Sequence, residues 1–221
     1  MCFSPEMDAT AGVVVTLIGV DTLRRVKTRN QIALAALPVL FGVHQLVETF
    51  VWLQLQGHVA PGIGDIAAWI YLLIAMVAVP VAVPYAFLRL GSGRWPRLDL
   101  AFVLAGAVAA AAHAYALLAE PHRRMIEGHQ ISYLVHLPMD SFTLPLYVIA
   151  VCGPGLAARS RILQAFAVAN LVGVVTLVAL NQNGVISLWC VWAALTSVLI
   201  NLYIRGFRLP LSSNVLTGTS R

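Results

Sequence analysis

The stretch that decides the fold is Gln31–Gln56, QIALAALPVLFGVHQLVETFVWLQLQ. It holds one carboxylate, Glu48, one histidine, His44, and no basic residue. A helix of about 20 residues spans roughly 30 Å, the thickness of bilayer hydrocarbon. Backbone placed in lipid must satisfy its own hydrogen bonds, so a segment this long and this apolar is expected to cross a membrane as an α-helix.

The rest of the chain repeats the pattern. Sixty per cent of the 221 residues are hydrophobic and only 10% are charged; a soluble domain carries roughly 25% charged residues. Such a chain cannot cover itself with polar surface in water. Seven apolar runs are expected to be helical spans, at about 9–23, 31–56, 64–88, 99–119, 137–157, 162–181 and 184–204. The fold class is therefore all-α: a polytopic seven-transmembrane-helix bundle. One domain is expected over 1–208, followed by a disordered cytoplasmic tail over 209–221. The first span is the shortest in apolar core. Asp21 lies near its inner end, and Arg24 and Arg25 can snorkel to the interface there. Met1 to Gly12 has no basic n-region, so this run reads as retained and not as a cleaved signal.

Charge sets the orientation. The net charge is +5, but the basic residues sit in short connections, with no basic face interleaved with aromatics. No nucleic-acid partner is expected. Twelve of the 14 basic residues fall on one side, in the connections holding Arg24–Arg29, Arg89–Arg97 and Arg159–Arg161 and in the tail from Arg205. Only Arg123 and Arg124 fall on the other. The positive-inside rule then gives N-out, C-in, as a multi-pass protein of a bacterial inner membrane.

Other features exclude whole classes. The three cysteines, Cys2, Cys152 and Cys190, form no CxxC pair, which removes zinc ribbons and thioredoxin-type sites. A retinal-type Schiff base needs a lysine within a helix, and the one lysine, Lys27, is in a connection. Pro38, Pro80, Pro84 and Pro145 lie within spans and are expected to kink them, Pro80 and Pro84 bending the third. The small-residue run Ala105–Ala112 allows close helix approach. No internal repeat is evident. The connection 120–136 is read as an outer loop.

Ionisable groups inside spans are costly and carry a functional hypothesis by default. His44 and Glu48 are four apart on one face of the second span. His136 and Asp140 are four apart at the mouth of the fifth, where both also suit a helix cap. His113 lies in the outer third of the fourth span and is expected to face headgroups. Cys190 is in the outer half of the seventh, and Cys2 and His129 are outside. The inner half holds little comparable: Asp21 sits beside basic residues, and Cys152 is in an apolar context. Histidine, carboxylate and thiolate are the ligands of zinc and copper. Cys2 and Cys190 share the non-cytoplasmic side, so they could instead form a disulfide. Glu48 could equally act as a proton carrier, and His44 as a packing histidine.

The opening Met1-Cys2-Phe3-Ser4 resembles an uncharacterised family of bacterial multi-helix membrane proteins. Leu40–Glu48 followed by Val51-Trp52-Leu53, His129-Gln130-Ile131-Ser132-Tyr133 and Ser187-Leu188-Trp189-Cys190 resemble its other motifs. At position 44 that pattern would carry glutamine. The resemblance implies that Cys2, Glu48, His129 and Cys190 form one feature, and it implies no activity.

The function expected is thus an outward-facing polar pocket in a metal-dependent membrane enzyme acting on a lipid or small molecule. Cys2, Glu48, His129 and Cys190 would hold zinc or copper. Glu48 would be a ligand or general base, and His44, His136 and Asp140 further candidate ligands. One alternative is a proton-coupled carrier using Glu48. The other is a non-catalytic sensor or accessory membrane subunit. The oligomeric state is not legible.

Overall fold

The computed structural model describes residues 4–119, 123–128, 130–134, 140–180 and 185–207. Among them are seven helices and one β-hairpin. The helices are α1 (Pro5–Arg24), α2 (Ile32–Leu55), an interrupted rod made of α3 (Pro61–Leu73) and α4 (Val79–Leu90), α5 (Pro96–Ala119), α6 (Asp140–Ala157), α7 (Arg161–Leu180) and α8 (Val185–Ile204). Strands β1 (Arg123–Glu127) and β2 (Gln130–Leu134) lie between α5 and α6. Three helical stretches, Arg29–Leu55, Pro61–Leu90 and Arg97–Ala119, are long and apolar enough to cross a membrane. The described parts of the last three helices contain shorter apolar stretches.

The first helix starts earlier than expected, at Pro5 and not at 9. Ser4 is its N-cap, the side chain accepting from the Met7 N–H at 3.3 Å. Pro5 occupies the first turn, where its missing N–H costs nothing. Ser4, the last residue of the opening motif, thus has a structural job.

Helices α1 and α2 pack antiparallel along a glycine seam. A Cβ on Gly42 would lie 2.5 Å from the Thr16 nitrogen, one on Gly19 2.6 Å from the Val39 nitrogen, and one on Gly12 2.8 Å from Leu46 Cγ. The two backbones touch, and any side chain at Gly19 or Gly42 would force them apart. This seam fixes the register. Gly12 faces Gly42 and Leu46, while Gly19 faces Pro38 and Val39.

The third rod does not simply bend. Ile74–Ala78 forms a π-helical turn just before Pro80. Pro80 has no N–H to offer either its α-register acceptor, the Met76 carbonyl, or its π-register acceptor, the Ala75 carbonyl. Neighbouring helices serve both. The Tyr147 hydroxyl on α6 donates to the Ala75 carbonyl at 2.9 Å. His113 Nδ1 on α5 lies 3.0 Å from the Met76 carbonyl, and since that oxygen can only accept, Nδ1 carries the proton. Pro84 likewise leaves the Pro80 carbonyl without a helical donor. There Gly106, in the small-residue run of α5, approaches so closely that a Cβ would collide with that oxygen. The expectation that His113 faces headgroups is therefore corrected: it is buried and its ring lies 5.8 Å from Tyr147.

The connection 120–136, read as a loop, contains the hairpin. Glu127 pairs with Gln130, and Gly128 turns the chain with φ +61°, a left-handed conformation suited to glycine in two-residue hairpin turns. At the opposite, basic end, the connections are also tied. The Arg159 N–H donates to the Ser92 carbonyl at 3.0 Å, and the Arg94 N–H to the Ala157 carbonyl at 3.2 Å. Asp21 Oδ2 accepts from Asn201 and Arg205 on the α8 side, both at 2.8 Å, and from Arg25 at 3.0 Å.

Candidate functional site

The seam between α1 and α2 determines which polar residues meet. From Gly12, one turn toward the hairpin end of α1 reaches Asp8. From Gly42, the same step on α2 reaches Gln45, and the next passes Glu48. All three are wholly buried or nearly so. Carboxylates in a buried layer are expensive, and burial of this kind is tolerated only with compensating protons, cations or hydrogen bonds.

An aromatic wall bounds this layer. The His44 ring lies flat against Tyr71 of α3, with centroids 4.0 Å apart and planes 7° apart. Tyr71 in turn stacks on Tyr133 of β2 at 5.0 Å. His44 Nε2 lies 3.2 Å from the Tyr71 carbonyl and donates to it. This geometry suits the packing role raised for His44. Val51, Trp52, Ile131 and Tyr133 belong to the same hydrophobic cluster as Tyr71, so the residues of two motifs singled out in the sequence close on one another.

The hairpin forms the roof. Ile131 and Tyr133 face the cluster on α2 and α3; by strand alternation Gln130 and Ser132 share the other face, and both are buried. Strand β2 also touches α8. Arg124 on β1 pins the roof to the helices, donating to Gln54 Oε1 on α2 at 2.8 Å and pairing with Asp65 on α3. One of the two basic residues on this end thus has a structural partner. Among the described residues, Trp52 Nε1 and Ser132 Oγ are buried and have no hydrogen-bond partner. Buried polar atoms are nearly always satisfied, so such orphans mark a place for water or a polar ligand.

Of the residues expected to form the site, Glu48 and His44 are described, and both lie in this layer. Cys2, His129 and His136 lie outside the described residues. Asp140 is the first residue of α6 and Cys190 is on α8, but their side chains also lie outside the description. Among the described residues, no three His, Cys, Asp or Glu side chains gather as a metal set. Cys152 is buried in the apolar core away from this end, as its context suggested.

Sequence reasoning missed Asp8, which falls just before the expected first span at 9–23. A signal was present. Asp8, Gly12, Val15, Gly19 and Thr22 are the buried face of α1, at the i, i+4, i+7, i+11, i+14 spacing of one helical stripe. Reading the helix from the Ser4-Pro5 cap brings Asp8 onto that stripe.

A family of unknown function (DUF6629) has a model that matches residues 1–214, and the chain belongs to that family. No curated protein and no solved structure matches the chain.

Proposed function

We propose that this DUF6629 member is a multi-pass membrane protein whose seven helices each cross the bilayer, N-out and C-in, with a polar pocket in its outer half. The distribution of side chains supports the membrane reading. Asp8, Gln45 and Glu48 are interior, while Leu17 is 63% exposed, Ile66 64% and Leu118 77%. That is the inverse of a water-soluble arrangement and suits lipid as the solvent.

The pocket functions as a metal-dependent site acting on a lipid or small molecule from the outer side. The observation that carries this reading is the complete burial of Glu48, one turn from His44 and its stack on Tyr71 and Tyr133, on the helix that Arg124 ties to the hairpin. The described donors fit only part of a zinc or copper site. A complete one requires thiolate and imidazole from Cys2, His129 and Cys190, with Glu48 as ligand or base. A transition metal there would supply a Lewis acid and a water of lowered pKa. The protein's own part is to hold Glu48 dry behind the Tyr71–Tyr133 wall, ready to accept a proton, while Trp52 and Ser132 offer donors to an oxygen of the substrate.

Elemental analysis of the purified, folded protein tests it. About one equivalent of zinc or copper in wild type, reduced in Glu48→Gln and His129→Ala, is the expected result. Wild-type protein without stoichiometric metal sinks the reading.

A second reading, a proton-coupled carrier with Glu48 as the titrating group, is favoured by the π-helical break before Pro80, since discontinuous spans characterise transporters. Reconstituted liposomes would then show proton-coupled flux that Glu48→Gln abolishes, and flux independent of Glu48 would reject it.

A further inference from the structure

At the basic end, far from the roofed pocket, an open cavity of about 430 Å³ is lined by Arg159, Ser160, Arg161, Ile162, Tyr203 and Phe207. We propose that it binds the phosphate headgroup of an anionic phospholipid from the inner leaflet. This rests on the membrane reading above but not on the metal site.

Three features converge here. First, no described carboxylate engages the guanidiniums. Arg25, Arg124 and Arg205 are each engaged by a carboxylate, but among the described residues Arg159 and Arg161 form no ion pair, and no carboxylate lines the cavity. Second, the segment carrying them is held in place. The Arg159 N–H is bonded to the Ser92 carbonyl, Ala158 bridges to Gly93, and Gln164 Nε2 donates to the Ala158 carbonyl at 2.9 Å. Backbone held at the rim keeps both arginines beside the cavity, so less freedom is lost when they bind an anion. Third, the walls are mixed. Ile162, Tyr203 and Phe207 give an apolar flank beside the charged rim, which suits a molecule with a phosphate at one end and acyl chains at the other.

Competition from the protein itself is limited. Helix α8 ends here, but its last carbonyls are occupied: Gly206, with φ +82°, donates to the Tyr203 carbonyl at 2.9 Å, and Phe207 to the Leu202 carbonyl at 3.0 Å. The cavity lies on the side richest in basic residues, where anionic lipid would be its neighbour. Basic pockets between spans on the cytoplasmic face recognise such headgroups. A second cavity nearby, lined by Asp21, Asn201 and Arg205, lacks this character because its arginine is already paired with Asp21.

Native mass spectrometry of the intact chain, released from detergent with phosphatidylglycerol, phosphatidylcholine or inorganic phosphate added, tests the proposal. Wild type should retain phosphatidylglycerol selectively. The Arg159→Gln/Arg161→Gln pair should lose it by about thirtyfold, the effect of two guanidiniums near an anionic lipid. Arg159→Lys/Arg161→Lys should recover part of it, and Arg24→Gln/Arg29→Gln, on the same side, should leave it within about threefold. Equal retention of phosphatidylcholine, an equal loss in the Arg24/Arg29 pair, or full displacement by inorganic phosphate would each overturn a lipid headgroup site. If alkaline carbonate strips the wild-type protein from membranes, the membrane reading itself has failed, which is a separate result.

Discussion

At Gly42 the backbones of α1 and α2 are close enough that one methyl group decides their separation. A Cβ there would sit 2.5 Å from the Thr16 nitrogen, and backbone cannot swing aside as a side chain can. Gly42→Ala is expected to cost about 1–3 kcal/mol, read as a lower midpoint in detergent thermal unfolding. Gly62→Ala, in the first turn of α3 with open space around its Cβ position, should be neutral or slightly stabilising. Equal effects at the two positions would mean the seam is not as tight as described. The same seam positions the helix that carries Glu48, the residue at the centre of the proposed pocket. A Gly42 substitution should also reduce any metal bound there, which elemental analysis of that variant checks. Neither residue's role is visible one position at a time. Glycine in an apolar run is unremarkable until its partner across the interface is known.

The π-helical turn shows what an element can demand of its neighbours. Prolines at 80 and 84 were legible as a bend, but the bend is only half of the outcome. The carbonyls they abandon must be satisfied by something, and for Ala75 and Met76 the bundle provides Tyr147 and His113. Tyr147→Phe keeps the ring and removes the donor to Ala75. Its expected cost is about 1–3 kcal/mol. Pro80→Ala restores a backbone N–H that can take over that acceptor, so the double variant should lose less than the two single losses added together. A double-mutant cycle by denaturant unfolding measures this coupling, and strict additivity would show that the tyrosine and the proline act independently. The hairpin makes a similar case. Its strand alternation, Gln130-Ile131-Ser132-Tyr133, is short and follows two arginines, so it carries little strand signal alone. Arg124→Ala should detach the roof from Gln54 and Asp65 and lower amide-exchange protection across 130–134. Unchanged protection there would place the roof's anchorage in the Ile131 and Tyr133 contacts instead.

For the molecule as a whole, two sets of contacts define opposite ends. One end carries the roof, the buried acids and the aromatic wall. The other carries the Asp21–Asn201–Arg205 cluster that ties α1 to α8, and the stapled connections beside Arg94 and Arg159. If the N-out, C-in reading holds, a reporter active only in the cytoplasm should work when fused after Arg221 and fail when fused before Met1. A reporter inserted in the Gly57–Gly64 connection should behave like the N-terminal fusion. Reversed activities would invert the assignment of the roofed pocket to the outer side while leaving the bundle intact.

Helix number and approximate position were determined by sequence alone, because the length of an apolar run is a local property that needs no partner. The expected spans at 31–56 and 99–119 differ from α2 and α5 by only a few residues at their ends. What meets what was decided only by tertiary structure. Asp8 was buried because it lies on the face of α1 whose two glycines let that helix close against α2. His113 turned inward because Pro80 left a carbonyl without a donor, and a connection became a roof because Ile131 and Tyr133 found Trp52 and Tyr71. Each of these depends on shape and unsatisfied polar atoms contributed by segments far apart in the chain, and a one-dimensional pattern carries neither.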